Sequence, residues 1–183
     1  MAFRRPVAHV LEAQTKREAE DRLRAWAARN GVALAIVRAP GIYAQTRLPL
    51  ERLRQQTPVL VPEDDVYTNH VHADDLARVA IAALFRGRPN RAYHATDDAE
   101  MKMGQWFDAV ADAYRMPRPP RVGWEEAEAR IAPMLLSFMS ESRRLSNDRM
   151  KRELRARLRY PTPQAMLDEA APREMRKQMP LSF

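Results

Sequence analysis

Residues 32–43 of the chain, VALAIVRAPGIY, indicate its class of fold more clearly than any other stretch. Residues 32–37 are continuously apolar and include β-branched side chains, which is typical of a strand buried on both faces of a parallel sheet. Pro40 and Gly41 end this strand. A helical pattern over residues 12–30 comes just before it, and a helix followed by such a strand is half of a parallel crossover unit. The chain is therefore predicted to be an α/β protein.

The remaining sequence continues this mixture of helices and short strands. Further helices are predicted over residues 49–55, 76–85, 103–114, 125–131, 147–157 and 164–171, and further strands over residues 59–61 and 91–96. For residues 134–139 the apolar pattern does not decide between helix and strand.

Apolar side chains at helical spacing share one face of each predicted helix. They are Ala19, Leu23, Trp26 and Ala27 in the first helix and Leu76, Val79, Ala80, Ala83 and Leu84 in a later one. The aromatic residues Trp106, Phe107, Trp124 and Phe138 are predicted to belong to the core. Asp74 and Asp75 open the helix that starts near residue 76, where carboxylates suit the cap position and the positive end of the helix dipole.

The composition excludes several classes of protein. The chain has 183 residues, which is the length of one domain, and it is 45% hydrophobic and 30% charged, as globular proteins are. It has no cysteine, so disulfides, thiolate metal sites and cysteine nucleophiles are excluded. No apolar run reaches the roughly 20 residues of a membrane span, and the first residues lack the apolar stretch of a secretory signal. We expect a cytoplasmic protein without a membrane partner.

The net charge of +7 raises the alternative of a nucleic-acid partner. Most arginines alternate with acidic residues, which is typical of a solvated helix face. The excess of positive charge lies over residues 143–159, where no aromatic residues alternate with the arginines as a platform for bases. A nucleic-acid partner is therefore the less favoured interpretation.

Three short motifs carry a family resemblance. VRAPGIY at residues 37–43, NHVHADDLA at residues 69–77 and RAYHATDD at residues 91–98 stand in this order along the chain. Together they resemble the later half of the NAD-dependent epimerase/dehydratase family, which comprises extended and atypical short-chain dehydrogenases. The resemblance covers residues 14–167 and implies an incomplete Rossmann-like parallel sheet, consisting of its last strands, with a small and mostly helical substrate domain.

The resemblance also implies the domain organisation. Residues 1–100 would form the C-terminal part of the NAD(P)-binding domain, interleaved with segments of the substrate domain. Residues 101–167 would form the rest of the substrate domain, and residues 168–183 are predicted to be a disordered tail.

One departure from the family concerns the cofactor. The fingerprint G-x-G-x-x-G, which lets backbone amides approach the pyrophosphate of NAD(P), does not occur among the five glycines. We therefore expect a C-terminal portion of such a protein, which binds NAD or NADP weakly or not at all. A natural truncation, a start codon placed too late and a separate functional module all remain open.

A second departure concerns catalysis. The family uses Tyr-x-x-x-Lys on the helix before the first motif. Lys16 falls on the family lysine, but Glu12 stands at the position of the tyrosine, and a carboxylate cannot act as a phenol of lowered pKa does. A catalytic role of Lys16 is implied by the resemblance alone. The alternative is an exposed ion pair between Glu12 and Lys16, which is the favoured interpretation.

The resemblance also assigns binding residues. The backbone after the first motif's strand meets the nicotinamide in the family, which implies a cofactor-binding role for Pro40, Gly41, Ile42 and Tyr43. Arg47, Tyr67 and Asn69 fall on loops that border the substrate pocket in the family, so they are the expected substrate-binding residues.

Four polar residues are predicted to be structural: Arg38, His72, Asp74 and Asp75. A charge at the end of an apolar strand needs a partner, and Asp74 or Asp75 is the expected partner of Arg38. His70 and His72 lie near these aspartates, but a metal site needs three or four convergent ligands, so no metal is predicted.

Taken with the resemblance, these motifs imply an NAD(P)-dependent oxidoreductase or epimerase that acts on a nucleotide sugar or a small carbonyl or hydroxyl compound. The chain by itself is expected to be inactive. Two alternatives remain: a non-enzymatic interaction module that forms a homodimer through an exposed strand edge and apolar helix face, and a basic nucleic-acid-binding protein.

Overall fold

The computed structural model describes the chain from residue 7 to residue 170, with the side chains of residues 16–170 apart from Met134. Within this range, helices and short strands alternate. The helices are α1 (Val7–Asn30), α2 (Leu50–Arg54), α3 (Ala73–Arg86), α4 (Met103–Ala113), α5 (Trp124–Arg130), α6 (Pro133–Met139), α7 (Asp148–Leu154) and α8 (Pro163–Ala170). The strands are β1 (Ala35–Arg38), β2 (Gly41–Tyr43), β3 (Val59–Leu60), β4 (Tyr67–Thr68), β5 (His70–His72), β6 (Arg91–His94), β7 (Met101–Lys102) and β8 (Arg121–Val122).

The described strands form pairs, of which all but one are parallel. β1 pairs with β6, β2 with β5 and β3 with β8, each in parallel, whereas β4 and β7 are antiparallel. The register of the longest pair sets Ala35 opposite Arg91 and Arg38 opposite His94. The prediction of an α/β protein with parallel strands is confirmed.

A first core cluster covers one face of the β1–β6 pair. Its buried members are Val79, Ala83, Tyr93, Ala95, Met150 and Leu154, contributed by α3, β6 and its end, and α7. The turn after α3 passes so close to β1 that a Cβ atom on Gly87 would lie 2.7 Å from the Cβ of Ala35. Only glycine allows this approach, which brings α3 onto the strand.

A second core cluster joins the middle of the chain to its end. Its buried members are Tyr43, Leu53, Val59, Trp106, Phe107, Val110, Ala111, Tyr160, Met166 and Leu167. The cluster therefore combines residues from both predicted domains, and the division into two domains stays a prediction. A smaller cluster packs α5 and α6 on the β3–β8 pair through Leu60, Val122, Ala127, Ile131 and Met139.

The start of α3 uses its polar residues differently from the expectation. The side chain of His72 caps the helix, because its Nδ1 accepts a hydrogen bond from the backbone N–H of Asp74 at 3.2 Å. Asp75 is buried, and its two carboxylate oxygens accept hydrogen bonds from the backbone N–H groups of Arg159 and Tyr160, both at 2.8 Å. Asp75 thus fastens the C-terminal segment to α3.

Arg38 has a different partner from the one expected. Its guanidinium makes two hydrogen bonds of 2.7 Å to the carboxylate of Glu20 on α1. The prediction of Asp74 or Asp75 as the partner is wrong, because α1 brings Glu20 to the strand end and Asp75 is occupied by backbone donors. The ion pair ties α1 to the end of β1.

The burial of the predicted core residues is mixed. Trp106 and Phe107 are buried, as predicted, whereas Phe138 is 52% exposed and not part of the core as predicted. On the predicted helix faces, Ala27, Val79 and Ala83 are buried, but Leu23, Trp26 and Leu84 are 50%, 50% and 82% exposed. Helical spacing shows which side chains share a face, but it does not supply a neighbour for that face.

Several local predictions also need correction. Five strands, β2, β4, β5, β7 and β8, have no counterpart in the prediction, and residues 134–139 belong to a helix, α6. α7 ends at Leu154 and not at residue 157, because Arg155 adopts the left-handed conformation with a φ of 52°. The predicted tail overlaps the end of α8, and its residues 171–183 lie outside the described part of the chain. Over residues 7–170, no helix is both long and apolar enough to cross a bilayer.

Replacement of Asp75 by asparagine tests the attachment of the C-terminal segment. Asparagine keeps the shape but turns one acceptor oxygen into an NH₂ group that faces a backbone donor. We expect Asp75→Asn to lower the free energy of unfolding by roughly 2–4 kcal/mol in urea denaturation. Asp74→Asn is the matched control, because the neighbouring carboxylate is exposed. Equal effects of the two substitutions would contradict this role of Asp75.

Candidate functional site

A buried aromatic and histidine cluster lies where β2 and β5 run side by side. The ring of Tyr43 is 5.4 Å from that of His72 and 5.6 Å from that of Trp106, measured between centroids. His70 lies 5.1 Å from Trp106 and 6.4 Å from Tyr43. We call Tyr43, His70, His72, Trp106 and the nearby Asp97 the Tyr43 cluster. The parallel register of β2 and β5 creates it, because Tyr43 stands opposite His72.

Asp97 gives the cluster an unusual acid. It follows β6, and it is 4% exposed. Its Oδ1 accepts a hydrogen bond from the backbone N–H of Ala99 at 3.1 Å, whereas its buried Oδ2 has no hydrogen-bond partner. Burial raises the pKa of Asp97 to about 7, and the charges of Asp98 and Asp75 act in the same direction. Asp97 can therefore gain or lose a proton near neutral pH.

The other titratable groups of the cluster are held neutral. Burial raises the pKa of the Tyr43 phenol, and the charge of Asp97 raises it further, while the buried hydroxyl has no well-formed hydrogen bond. Burial lowers the pKa of His70 to about 4, so its ring is uncharged at neutral pH. Burial also lowers the pKa of His72, against the opposing charge of Asp74. Because its Nδ1 accepts a hydrogen bond, neutral His72 carries its proton on Nε2.

The predicted cofactor residues lead from β1 into this cluster. Pro40 and Ile42 are half-buried, Gly41 is exposed and Tyr43 is buried. The backbone N–H of Gly41 donates to the carbonyl of Asn69 at 3.1 Å, and a Cβ atom at Gly41 would lie 3.0 Å from the His70 ring. The close approach of β5 thus accounts for the glycine. The cofactor-binding role of these residues stays a prediction.

Two of the predicted substrate residues lie together, next to the segment of residues 142–145. The side-chain amide of Asn69 donates to the carbonyl of Arg143 and accepts from the backbone N–H of Leu145, both at 2.8 Å. Two cations flank the Tyr67 ring, with Arg144 at 5.1 Å and Lys102 at 5.9 Å from its centroid. Asn69 therefore positions a loop that carries a cation beside Tyr67.

The remaining predicted site residues lie elsewhere. Arg47 is exposed at the end of a short 3₁₀ turn, Gln45–Arg47, before α2. Lys16 is exposed on α1, and the side chain of Glu12 lies outside the described residues, as does the predicted ion pair between them. The catalytic role of Lys16 and the substrate role of Arg47 stay predictions. Over the described range, no three or more histidine, aspartate or glutamate residues are grouped to hold a metal ion.

Sequence reasoning missed Asp97, His70 and Trp106 as members of a polar site. Trp106 was assigned to the core, where it lies, and Asp97 was named only as part of the motif at residues 91–98. A signal for Asp97 existed, because a carboxylate directly after a strand of a parallel sheet stands at the edge where α/β proteins bind ligands. The contact of His70 with Trp106 depends on a short strand that no sequence period marks.

Comparison with known proteins finds similarity to solved structures. Neither a protein-family model nor a curated protein matches the sequence. A functionally unknown conserved protein from Silicibacter pomeroyi is 30% identical, with a TM-score of 0.69 over 80% of this chain and 50% of that one. A nucleoside-diphosphate-sugar epimerase from Pseudomonas aeruginosa is 19% identical, with a TM-score of 0.66 over 84% and 51%.

A third similar structure contains a cofactor. It is a dTDP-glucose 4,6-dehydratase from Streptomyces venezuelae with NAD bound, which is 16% identical, with a TM-score of 0.63 over 86% of this chain and 49% of that one. The chain thus has the Rossmann-like fold of epimerases and dehydratases, as predicted, and it spans about half the length of the structures it matches.

The opposite pKa shifts of Asp97 and His70 predict opposite pH effects. Asp97 holds its proton more tightly in the folded protein, so its contribution to stability is lost as the pH rises from about 4 towards 7. His70 holds its proton less tightly when folded, so its contribution is lost as the pH falls from 6.5 towards about 4. Between these limits the two effects oppose each other.

Single substitutions should separate the two effects. On acidification, we expect the free energy of unfolding of Asp97→Asn to fall more steeply than that of the wild type. The free energy of unfolding of His70→Phe should instead rise relative to the wild type. Each slope should differ from the wild-type slope by up to about 1.4 kcal/mol per pH unit. Urea denaturation at pH 4.5, 5.5 and 6.5 measures both slopes. Profiles parallel to that of the wild type would rule out the buried acid and base.

Proposed function

We propose that this chain forms the substrate-side half of an NAD(P)-dependent epimerase or dehydratase that acts on a nucleotide sugar. The observation that carries the proposal is the β1–α3–β6 unit, which leads through Pro40 and Gly41 into the Tyr43 cluster. The similar epimerase and dehydratase structures match 84% and 86% of this chain and contain about as much chain again. Their similar fold supports the proposal that the β1–α3–β6 unit takes part in cofactor and substrate binding here.

In this proposal the residues after β1 form one wall of the nicotinamide site. NAD(P), when bound, supplies the hydride chemistry, and the chain supplies orientation. The parallel β1–β6 pair directs Pro40 and Gly41 to the carboxyl edge of the sheet, where α/β proteins bind their ligands. No glycine-rich loop in the 183 residues can grip the pyrophosphate, so the phosphate site has to come from a further part of the sheet.

Substrate recognition is assigned to the surface around Tyr67. An aromatic ring flanked by Arg144 and Lys102 combines a stacking face with two cations, of which Arg144 also pairs with Glu100 at 3.0 Å. A nucleotide sugar offers a planar base or a sugar ring for the former and a diphosphate for the latter. Asn69 positions the loop, and Arg47 remains a candidate for a further contact to the diphosphate.

The cofactor half of the proposal predicts weak binding by the chain alone. Because the phosphate grip is missing from the chain, calorimetric titration with NADH and with NADPH should give no binding in the micromolar range. Micromolar affinity would show that the chain reaches the phosphates in another way. Titration with ADP in parallel tests whether any affinity resides in the nucleotide alone.

A fusion protein tests the proposal directly. The half of the Silicibacter pomeroyi protein that this chain does not match is joined to the N-terminal side of the chain. We expect the fusion to bind NADH or NADPH and a nucleotide sugar such as UDP-glucose, and Tyr67→Ala in the fusion to weaken only the sugar nucleotide. A fusion that unfolds cooperatively but binds neither cofactor would contradict the proposal.

Exposed apolar residues favour interaction with a protein as a second candidate function. Ile81, Leu84 and Phe85 form a stripe on α3 and are 57%, 82% and 84% exposed. Leu23 and Trp26 on α1 are each 50% exposed. Monomeric proteins seldom leave large apolar groups together in water, so we infer that these faces are covered by a second copy of the chain.

Sedimentation tests this second candidate. The wild type should form dimers or larger species at tens of micromolar, whereas Leu84→Glu combined with Phe85→Glu should be monomeric because carboxylates cannot be buried there. Phe138→Glu is the matched control, at another phenylalanine that is 52% exposed. A monomeric wild type would exclude self-association.

A further inference from the structure

A positively charged cleft lies beside the C-terminal end of α7, and none of the functions proposed above uses it. It has a volume of about 480 Å³, and its lining includes Asp98, Lys151, Arg155, Arg157, Leu158 and Pro161. We call it the α7 cleft. Its three cationic residues, Lys151, Arg155 and Arg157, belong to the segment where the sequence shows its excess of positive charge.

The backbone at the end of α7 directs two arginines to the cleft. Arg155 ends the helix in the left-handed conformation, with a φ of 52°, which is unfavourable for a residue with a Cβ atom. Beyond it, Ala156 and Leu158 are half-buried against the core cluster of α3 and α7, whereas Arg155 and Arg157 are exposed. The two arginines therefore project from the same side of the segment.

The charges of the cleft do not cancel. Asp98 accepts hydrogen bonds from Lys151 Nζ at 2.5 Å and from Asn147 Nδ2 at 2.7 Å, so its charge is matched by that of Lys151. The side chains of Arg155 and Arg157 make no hydrogen bond or ion pair with any residue in the described part of the chain. Two guanidinium groups without counter-charges thus face a concave surface.

The neighbouring arginines Arg159 and Arg86, unlike Arg155 and Arg157, have partners. A second cleft of about 400 Å³ contains Arg159, but Asp168 and Glu169 also line it, and Arg159 pairs with Glu169 at 3.3 Å. At the end of α7, Arg86 Nη1 donates to the carbonyl of Leu154 at 3.0 Å, which satisfies an acceptor that would otherwise repel an anion. Of these two clefts, the α7 cleft is therefore the one with uncompensated positive charge.

We propose that the α7 cleft binds a small molecule that carries a phosphate or diphosphate group. Guanidinium groups match phosphate oxygens in both charge and geometry, and Leu158 and Pro161 offer an apolar surface to the rest of the ligand. Among the described lining residues there is no aromatic ring on which a nucleic-acid base could stack. A small phosphate ligand fits this surface better than a nucleic-acid strand. NAD(P) also carries a diphosphate, but two exposed arginines are expected to bind such a group more weakly than the micromolar range, so the proposal is compatible with the absence of micromolar NAD(P) binding.

Calorimetry with pyrophosphate tests the proposal at low and moderate salt. We expect the wild-type chain to bind pyrophosphate, and the double variant Arg155→Gln/Arg157→Gln to bind it at least about tenfold more weakly. The control Arg17→Gln/Arg22→Gln removes the same charge from α1, away from the cleft, and should keep the wild-type affinity. Thermal unfolding of each variant shows whether it is folded. If the double variant is not folded, the single variant Arg157→Gln replaces it in the test.

Three results would overturn the proposal. The first is a wild type that does not bind pyrophosphate. The second is an equal loss of affinity in the cleft variant and in the α1 control, which would indicate a general charge effect. The third is tight binding of a 20-base-pair DNA that is not displaced by pyrophosphate and is lost in the double variant Arg155→Gln/Arg157→Gln. This result would make the cleft part of a nucleic-acid surface.

Discussion

The carboxylate of Asp75 connects parts of the chain that lie far apart in sequence. From the first turn of α3 it accepts hydrogen bonds from the backbone N–H groups of Arg159 and Tyr160, more than eighty residues away. Hydrogen bonds to a buried charge are strong, and leaving either partner unpaired is costly. They place the Tyr160 ring 4.1 Å from that of His72, so the C-terminal segment closes the core around Tyr43. Both the Tyr43 cluster and the α7 cleft depend on this attachment.

The sequence predicted the elements whose patterns are long or distinctive. β1, α3 and β6 follow from an apolar run, a capped amphipathic pattern and a second β-rich run, and these define the parallel unit. The two-residue and three-residue strands, such as β4 and β5, are too short to show a period. The role of Asp75 could not be predicted, because its partners are backbone groups at the far end of the chain. Leu84 was placed on one helix face with Val79, but Val79 is buried and Leu84 is 82% exposed.

The family motifs predicted where the site lies, but they did not predict which of its groups can exchange a proton. The motifs marked Pro40, Gly41 and Tyr43, which do lie at the edge of the parallel unit. They did not indicate that Tyr43 points into a core beside Asp97, or that burial brings the pKa of Asp97 to about 7. Such a shift depends on the packing of several segments, which local sequence does not encode. The family resemblance located the site, and only the packing revealed its acid.

β1 pairs with β6 on one side, and no strand of residues 7–170 pairs with its other side. N–H groups alternate along a strand, and the carbonyls of Leu34 and Arg38 accept hydrogen bonds from the β6 side. The amides of Ile36 and Arg38 therefore face β6, while those of Ala35 and Val37 face the edge on which no described strand lies. Hydrogen exchange followed by NMR measures this directly in the isolated, dilute chain. We predict slow exchange at Ile36 and fast exchange at Ala35 and Val37, and equal protection of all three amides would contradict the account.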